Sequence, residues 1–96
     1  MAQPDLPTPL YVHTNDIIAT DVDGDVILLN PKSWIFFEFD RIGGSIWKHL
    51  ETPSSLPSLV DTLRVDFDVE QARCLGDTKT FLDALIAHGL VAVVDG

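Results

Sequence analysis

The chain predicts an α+β domain: a three-stranded antiparallel meander followed by three helices. Three observations carry this expectation. Two turn signals, Asp23-Gly24 and Asn30-Pro31, each separate short apolar runs. After Asp40 the apolar residues switch from alternation to helical spacing. A long amphipathic stretch then stops at Gly89, and glycine closes helices because it accepts the left-handed conformation.

Residues 1–15, with Pro4, Pro7 and Pro9 and little periodicity, read as a flexible N-terminal arm with order starting near Tyr11. The domain is expected over 16–96. Ile17 to Val22 reads as the first strand. Asp23-Gly24 suits a two-residue type I′ turn, which needs positive φ at both positions. Val26 to Leu29 is the second strand. Asn30-Pro31-Lys32-Ser33 suits a four-residue hairpin loop built on a type I turn. Trp34 to Phe39 is the third strand and carries Trp34, Phe36, Phe37 and Phe39. Alternation puts Ile35, Phe37 and Phe39 on one face and Trp34, Phe36 and Glu38 on the other. With the first face in the core, the second shows aromatics where a small domain usually shows charge. At a sheet edge, such a strand invites a partner.

Asp40 can cap a first helix running to about Glu51, with Ile42, Ile46, Trp47 and Leu50 on one face. Gly43-Gly44 inside it costs about 1 kcal/mol each relative to Ala, which points to close approach of another backbone or to a frayed first turn. Ser55 can cap a second helix through about Arg64, with Leu56, Leu59, Val60 and Leu63 as its stripe. Asp68 with Gln71 resembles a capping box opening a third helix, Val69 to His88. Its apolar arc holds Cys74, Leu75, Thr78, Phe81, Leu82, Leu85 and Ile86. Ala72, Gly76, Thr80 and Ala84 form a stripe of small residues, either neutral surface or a seat for another backbone. Leu90 to Val94 reads as a short apolar tail.

Composition narrows the function. With 96 residues, 46% hydrophobic and 22% charged, the chain fits one globular domain. No apolar run approaches the ~18 residues that span a bilayer, so no membrane partner is expected and a cytoplasmic location is. The lone Cys74 agrees with a reducing compartment. Net charge is −9 and the six Lys and Arg are scattered, which leaves no basic stripe for phosphates. A winged-helix DNA-binding regulator is compatible with the helix order. The third helix, however, holds Arg73 and Lys79 against Glu70, Asp77 and Asp83, so no nucleic-acid partner is expected.

Nothing in the chain assembles an active site, so no catalytic residue, metal or cofactor is expected. Asp21-Val22-Asp23-Gly24-Asp25 lacks the Gly and the bidentate Glu of a calcium loop, having Val26 and Lys32 at those places. Cys74 lies on an apolar arc, where a thiol is a small core hydrophobe. His13, His49 and His88 share no metal-ligand spacing.

Taken in order, several short segments resemble the PqqD-like family of peptide-binding domains, the RiPP precursor recognition elements. Val26-Ile27-Leu28-Leu29-Asn30 resembles the family's second strand, and Phe36-Phe37-Glu38-Phe39-Asp40 the end of its third. Gly43 and Ile46-Trp47 fit its first helix. Asp77, Phe81-Leu82, Leu85 and Gly89-Leu90-Val91 fit the end of its third helix. The likeness spans about residues 16–94. It implies a winged helix-turn-helix-like, non-catalytic domain that binds the leader segment of a ribosomally made precursor peptide. The leader would add antiparallel to the third strand, in a groove against the third helix. The implied peptide-binding residues are Trp34, Ile35, Phe36, Phe37, Glu38 and Phe39 on the strand, with Arg73, Asp77, Thr80, Phe81 and Ala84 on the helix. The alternative for Arg73 and Asp77, one turn apart, is a surface ion pair. Within the family, a short stand-alone chain is most like the leader-binding partner of lasso-peptide pathways. Its implied partners are then a precursor leader and a transglutaminase-like processing protease, or another maturation enzyme. A PqqD proper, serving a radical-SAM enzyme, is the alternative.

Overall fold

The computed structural model describes residues 9–95. In chain order come β1 (Pro9–His13), β2 (Ile18–Val22), β3 (Asp25–Asn30), β4 (Ile35–Phe39), α1 (Arg41–His49), α2 (Leu56–Asp66), α3 (Gln71–Ala87) and β5 (Val91–Asp95). The meander β2-β3-β4 and the three helices are as the sequence predicts. Asp23 and Gly24 both take positive φ, 53° and 93°, and Val22 pairs with Asp25 across a two-residue turn, as type I′ geometry requires.

The second hairpin differs by one residue. Its four-residue loop is Pro31 to Trp34, because Asn30 pairs with Ile35. Asn30 fixes the loop: its Oδ1 accepts from the Lys32 N–H at 3.0 Å and its carbonyl accepts from the Trp34 N–H at 2.8 Å. Trp34 therefore leaves the strand and sits at φ 59°, a conformation unfavourable for a bulky L-residue.

A second sheet was not legible from the sequence. β1 and β5 pair antiparallel, Tyr11 opposite Val93. The apolar tail is thus a strand, and part of the presumed arm is its partner. Each supplies the other's backbone hydrogen bonds, which a lone apolar strand would leave unmet. Tyr11 also exchanges backbone hydrogen bonds with Ser54, at 2.8 and 2.9 Å. Residues 1–8 of the arm lie outside the described residues.

Helix ends follow local chemistry. Asp40 Oδ1 accepts from the Gly43 N–H at 2.9 Å, and Ser55 Oγ from the Ser58 N–H at 3.2 Å. Glu70, not Asp68, caps α3: its carboxylate accepts from the Arg73 N–H at 3.1 Å. The chain is still extended at Glu70 (ψ 138°), so Asp68 lies too early to reach the first orphan donors. Gly89, at φ 74°, and Leu90 return N–H groups to Ile86 and Leu85, closing α3 as a Schellman motif.

One core joins the sheets and helices: Tyr11, Val26, Leu28, Ile46, Trp47, Leu50, Leu82 and Leu90 are among its members. Cys74 is buried in it as a free thiol. Gly43 and Gly44 answer the question left open by the sequence, since both are buried by close approach. A Cβ on Gly44 would lie 2.9 Å from Val26 Cγ2 and 3.2 Å from the Gly24 carbonyl oxygen. Alanine gains about 1 kcal/mol in helix propensity, but overpacking costs about 1–3 kcal/mol. Val26 is stiff and buried, so Gly44→Ala is expected to lower stability by about 1 kcal/mol in a urea melt.

His13 ties β1 to α1. Its ring stacks on Trp47, centroids 3.6 Å apart, and Nε2 is hydrogen-bonded to the Trp47 carbonyl. Burial lowers its pKa below 6.5, outweighing that hydrogen bond and the nearby Glu51 charge. The unfolded chain therefore binds this proton first as pH falls. Stability is full above pH 6.5 and declines as pH drops through 6.5 toward the lower folded value. His13→Phe, which keeps the ring, should flatten the thermal-melt dependence between about pH 7 and 5.

Candidate functional site

Among the described residues β4 is an edge strand, paired with β3 alone. Register defines which groups are open. Val22 and Asp25 close a type I′ hairpin and so form a hydrogen-bonded pair, after which such pairs alternate. Residues 25, 27 and 29 of β3 thus face β2, while Val26, Leu28 and Asn30 face Phe39, Phe37 and Ile35 of β4. The backbone N–H and C=O groups of Phe36 and Glu38 then point away from the sheet into the open flank.

Beside that flank lies a groove of about 500 Å³ between β4, α1 and α3. Its lining combines Glu38, Phe39, Asp40, Ile42, Gly43, Ile46, Asp77, Thr78 and Phe81. Phe39 meets Phe81 edge-on at 5.0 Å and tilts toward Trp47 at 6.3 Å. Gly43 makes this possible, since a Cβ there would stand 3.1 Å from Phe39 Cβ and 3.3 Å from Phe81 Cζ. Aromatic edge contacts of this kind add about 0.5–1.5 kcal/mol beyond burial. They hold an apolar floor under an acidic rim.

Of the residues singled out from sequence, Glu38, Phe39, Asp77 and Phe81 come together in this groove. Phe37, on the same side of the sheet, packs edge-on to His88 at 5.1 Å; both it and Phe39 are half-buried, not core. Ile35 begins β4 half exposed. Phe36, 66% exposed, lies on the sheet face away from the helices, and Trp34, 73% exposed, stands in the turn. Arg73 lines an adjoining depression that also includes Asp77, to which its Nε lies 3.7 Å away. Both side chains are well exposed, so the pair contributes little. Thr80 donates from Oγ1 to the Gly76 carbonyl at 3.0 Å, and it and Ala84 are exposed outside the groove lining. A Cβ on Gly76 would touch nothing among the described residues, so none of them is seated on the small-residue stripe at that point.

Asp40, Ile42, Gly43, Ile46 and Thr78 line the groove and were missed as site residues. For Gly43 a signal existed: a costly helical glycine four residues after Phe39 marks a place where something comes close. Among the described residues, no group of three metal-ligating side chains gathers. No described helix is long and apolar enough to cross a membrane.

Three-stranded sheet, helical layer and aromatic edge strand together define a PqqD-like recognition-element fold. The chain belongs to the PqqD family: the sequence profile described as Coenzyme PQQ synthesis protein D (PqqD) matches residues 25–91. Two solved structures share the fold. "TbiB1 in Complex with the TbiA(beta) Leader Peptide" is 25% identical, with 83% of this chain and 93% of that one covered and a TM-score of 0.77. "Lasso peptide synthetase B1 complexed with the leader peptide" is 17% identical, covering 85% of this chain and 96% of that one, with a TM-score of 0.75. No curated protein matches the sequence.

Proposed function

We propose that this chain is a non-catalytic recognition protein that binds the leader segment of a ribosomally made precursor peptide. The leader adds as an antiparallel strand to β4, with main-chain hydrogen bonds to Phe36 and Glu38. Its alternate side chains enter the groove formed by Phe39, Phe81 and α3, while the others lie beside Phe36. The protein then hands the leader to a processing enzyme, the transglutaminase-like leader peptidase of a lasso-peptide pathway. One observation carries this reading: an aromatic strand, at the edge of the sheet among the described residues, borders an apolar groove of about 500 Å³. Its likeness to TbiB1, a protein solved with a leader peptide, supports it. Ile35 to Phe39 form the docking edge, with Trp34 in the turn at its head; Asp77 and Phe81 wall the groove, Arg73 stands in the adjoining depression, and Thr80 and Ala84 lie farther along the same helix, outside the groove lining.

The family description, a protein of coenzyme PQQ synthesis, favours a second reading, a PqqD-type peptide chaperone for a radical-SAM enzyme. The strand-addition chemistry is shared, so only the receiving enzyme differs.

Trp34 stands at the head of β4 and reports on the edge. Titrating synthetic leaders from lasso-peptide and PQQ precursors should give a saturable change in tryptophan fluorescence with leaders of one class. Phe81→Ala should weaken that binding about tenfold, the effect of losing one buried aromatic contact. Failure of every leader to saturate would contradict the proposal.

A further inference from the structure

Four depressions meet at Ile42, a residue 39% exposed in the first turn of α1, and three of them supply the charged rim. The groove beside β4 is one. The second adds Asp68, Glu70 and Arg73; the third adds Asp25, Arg41 and Phe67. Around one apolar centre, the rim thus gathers six carboxylates, Asp25, Glu38, Asp40, Asp68, Glu70 and Asp77, against Arg41 and Arg73.

Not all of this charge is free. Asp40 and Glu70 offset the positive helix N-termini they cap, and Asp77 faces Arg73 at 3.7 Å. Asp25, Glu38 and Asp68 make no ion pair among the described residues. The bowl is therefore greasy at its base and negative at its lip, a surface that takes an apolar group carrying or flanked by positive charge.

Its place decides the occupant. The bowl begins where β4 ends, at Phe39 and the capping Asp40. A guest strand antiparallel to β4 has its N-terminal end there. On the reading of β4 as the leader site, we propose that the bowl around Ile42 binds the leader segment just N-terminal to the added strand, through a cationic group beside an apolar side chain. A Lys or Arg side chain supplies that cation, or the α-ammonium does where the peptide begins at this point.

The test is a random-peptide display selection on the wild-type protein and on the Asp25→Lys/Asp68→Lys variant, whose fold is checked by circular dichroism. Wild-type winners should share an extended apolar core with Lys or Arg enriched on its N-terminal side. The variant should select the same core with Asp or Glu there. Winners are then synthesised with free or acetylated N-termini and with Lys replaced by norleucine. Loss of the responsible cation should raise Kd about tenfold at low salt and less at high salt. Winners with the core but no charge bias, identical for both proteins, would overturn the cation site and leave the β4 reading standing. A wild-type pool with no extended core would overturn both.

Discussion

Phe36→Pro will cost the protein its leader affinity while leaving it folded. The Phe36 N–H points away from β3, so proline removes a donor that the sheet does not use, and edge positions of this kind tolerate proline. For a guest strand the consequences add. One main-chain hydrogen bond is lost, worth about 0.5–1.5 kcal/mol, and the ring occupies space the neighbouring strand needs. A loss of at least about 2 kcal/mol, roughly thirtyfold in Kd, is expected by calorimetry. Phe36→Ala separates side chain from backbone, because it keeps the N–H and should bind more tightly than the proline variant. Glu38→Pro should repeat the effect two residues on. Thermal melts of all three should stay close to wild type, since neither side chain is buried.

Leu28→Ala should do the reverse and unravel the domain. Leu28 is fully buried on β3, the middle strand, in the core that includes Ile46, Trp47 and Leu82. Truncating such a leucine costs about 2–5 kcal/mol, through lost burial and the cavity left behind. Domains of this size hold about 5–15 kcal/mol in total, so the midpoint temperature should fall by at least about 10 °C. Phe37→Ala, one strand away, should cost less than full burial would imply, because Phe37 is only half-buried. A melt in which Leu28→Ala and Phe36→Ala lose equal stability would mean the faces of the sheet are assigned wrongly.

What could be read from the sequence was what local chemistry decides. Asp23-Gly24 specifies its turn through two positive φ values, and Asp40, Ser55 and Gly89 mark helix ends through their own hydrogen bonds or conformation. The alternation of β4 separated Phe36 from Phe37 and Phe39. Pairing distant in sequence was not legible: β1 joins β5 across most of the chain, and neither segment alone says which partner it has. Trp34 was drawn into the strand by its type, whereas the hydrogen bonds of Asn30 hold it in the loop. The aromatic edge of the candidate site was visible early. Its floor was not, because Ile42 and Ile46 on α1 become groove residues only once Gly43 lets α1 pack close to Phe39 and Phe81.

Amide hydrogen exchange, resolved residue by residue with and without a leader peptide, tests strand addition most directly. In the free protein the amides of Ile35, Phe37 and Phe39 should be protected by β3, and those of Phe36 and Glu38 should exchange freely. Leader binding should protect Phe36 and Glu38 and leave Ala19 and Asp21, on the opposite edge, unchanged. Saturating leader with Phe36 and Glu38 still exchanging freely, or with protection appearing on β2 instead, would contradict the docking of a guest strand on β4.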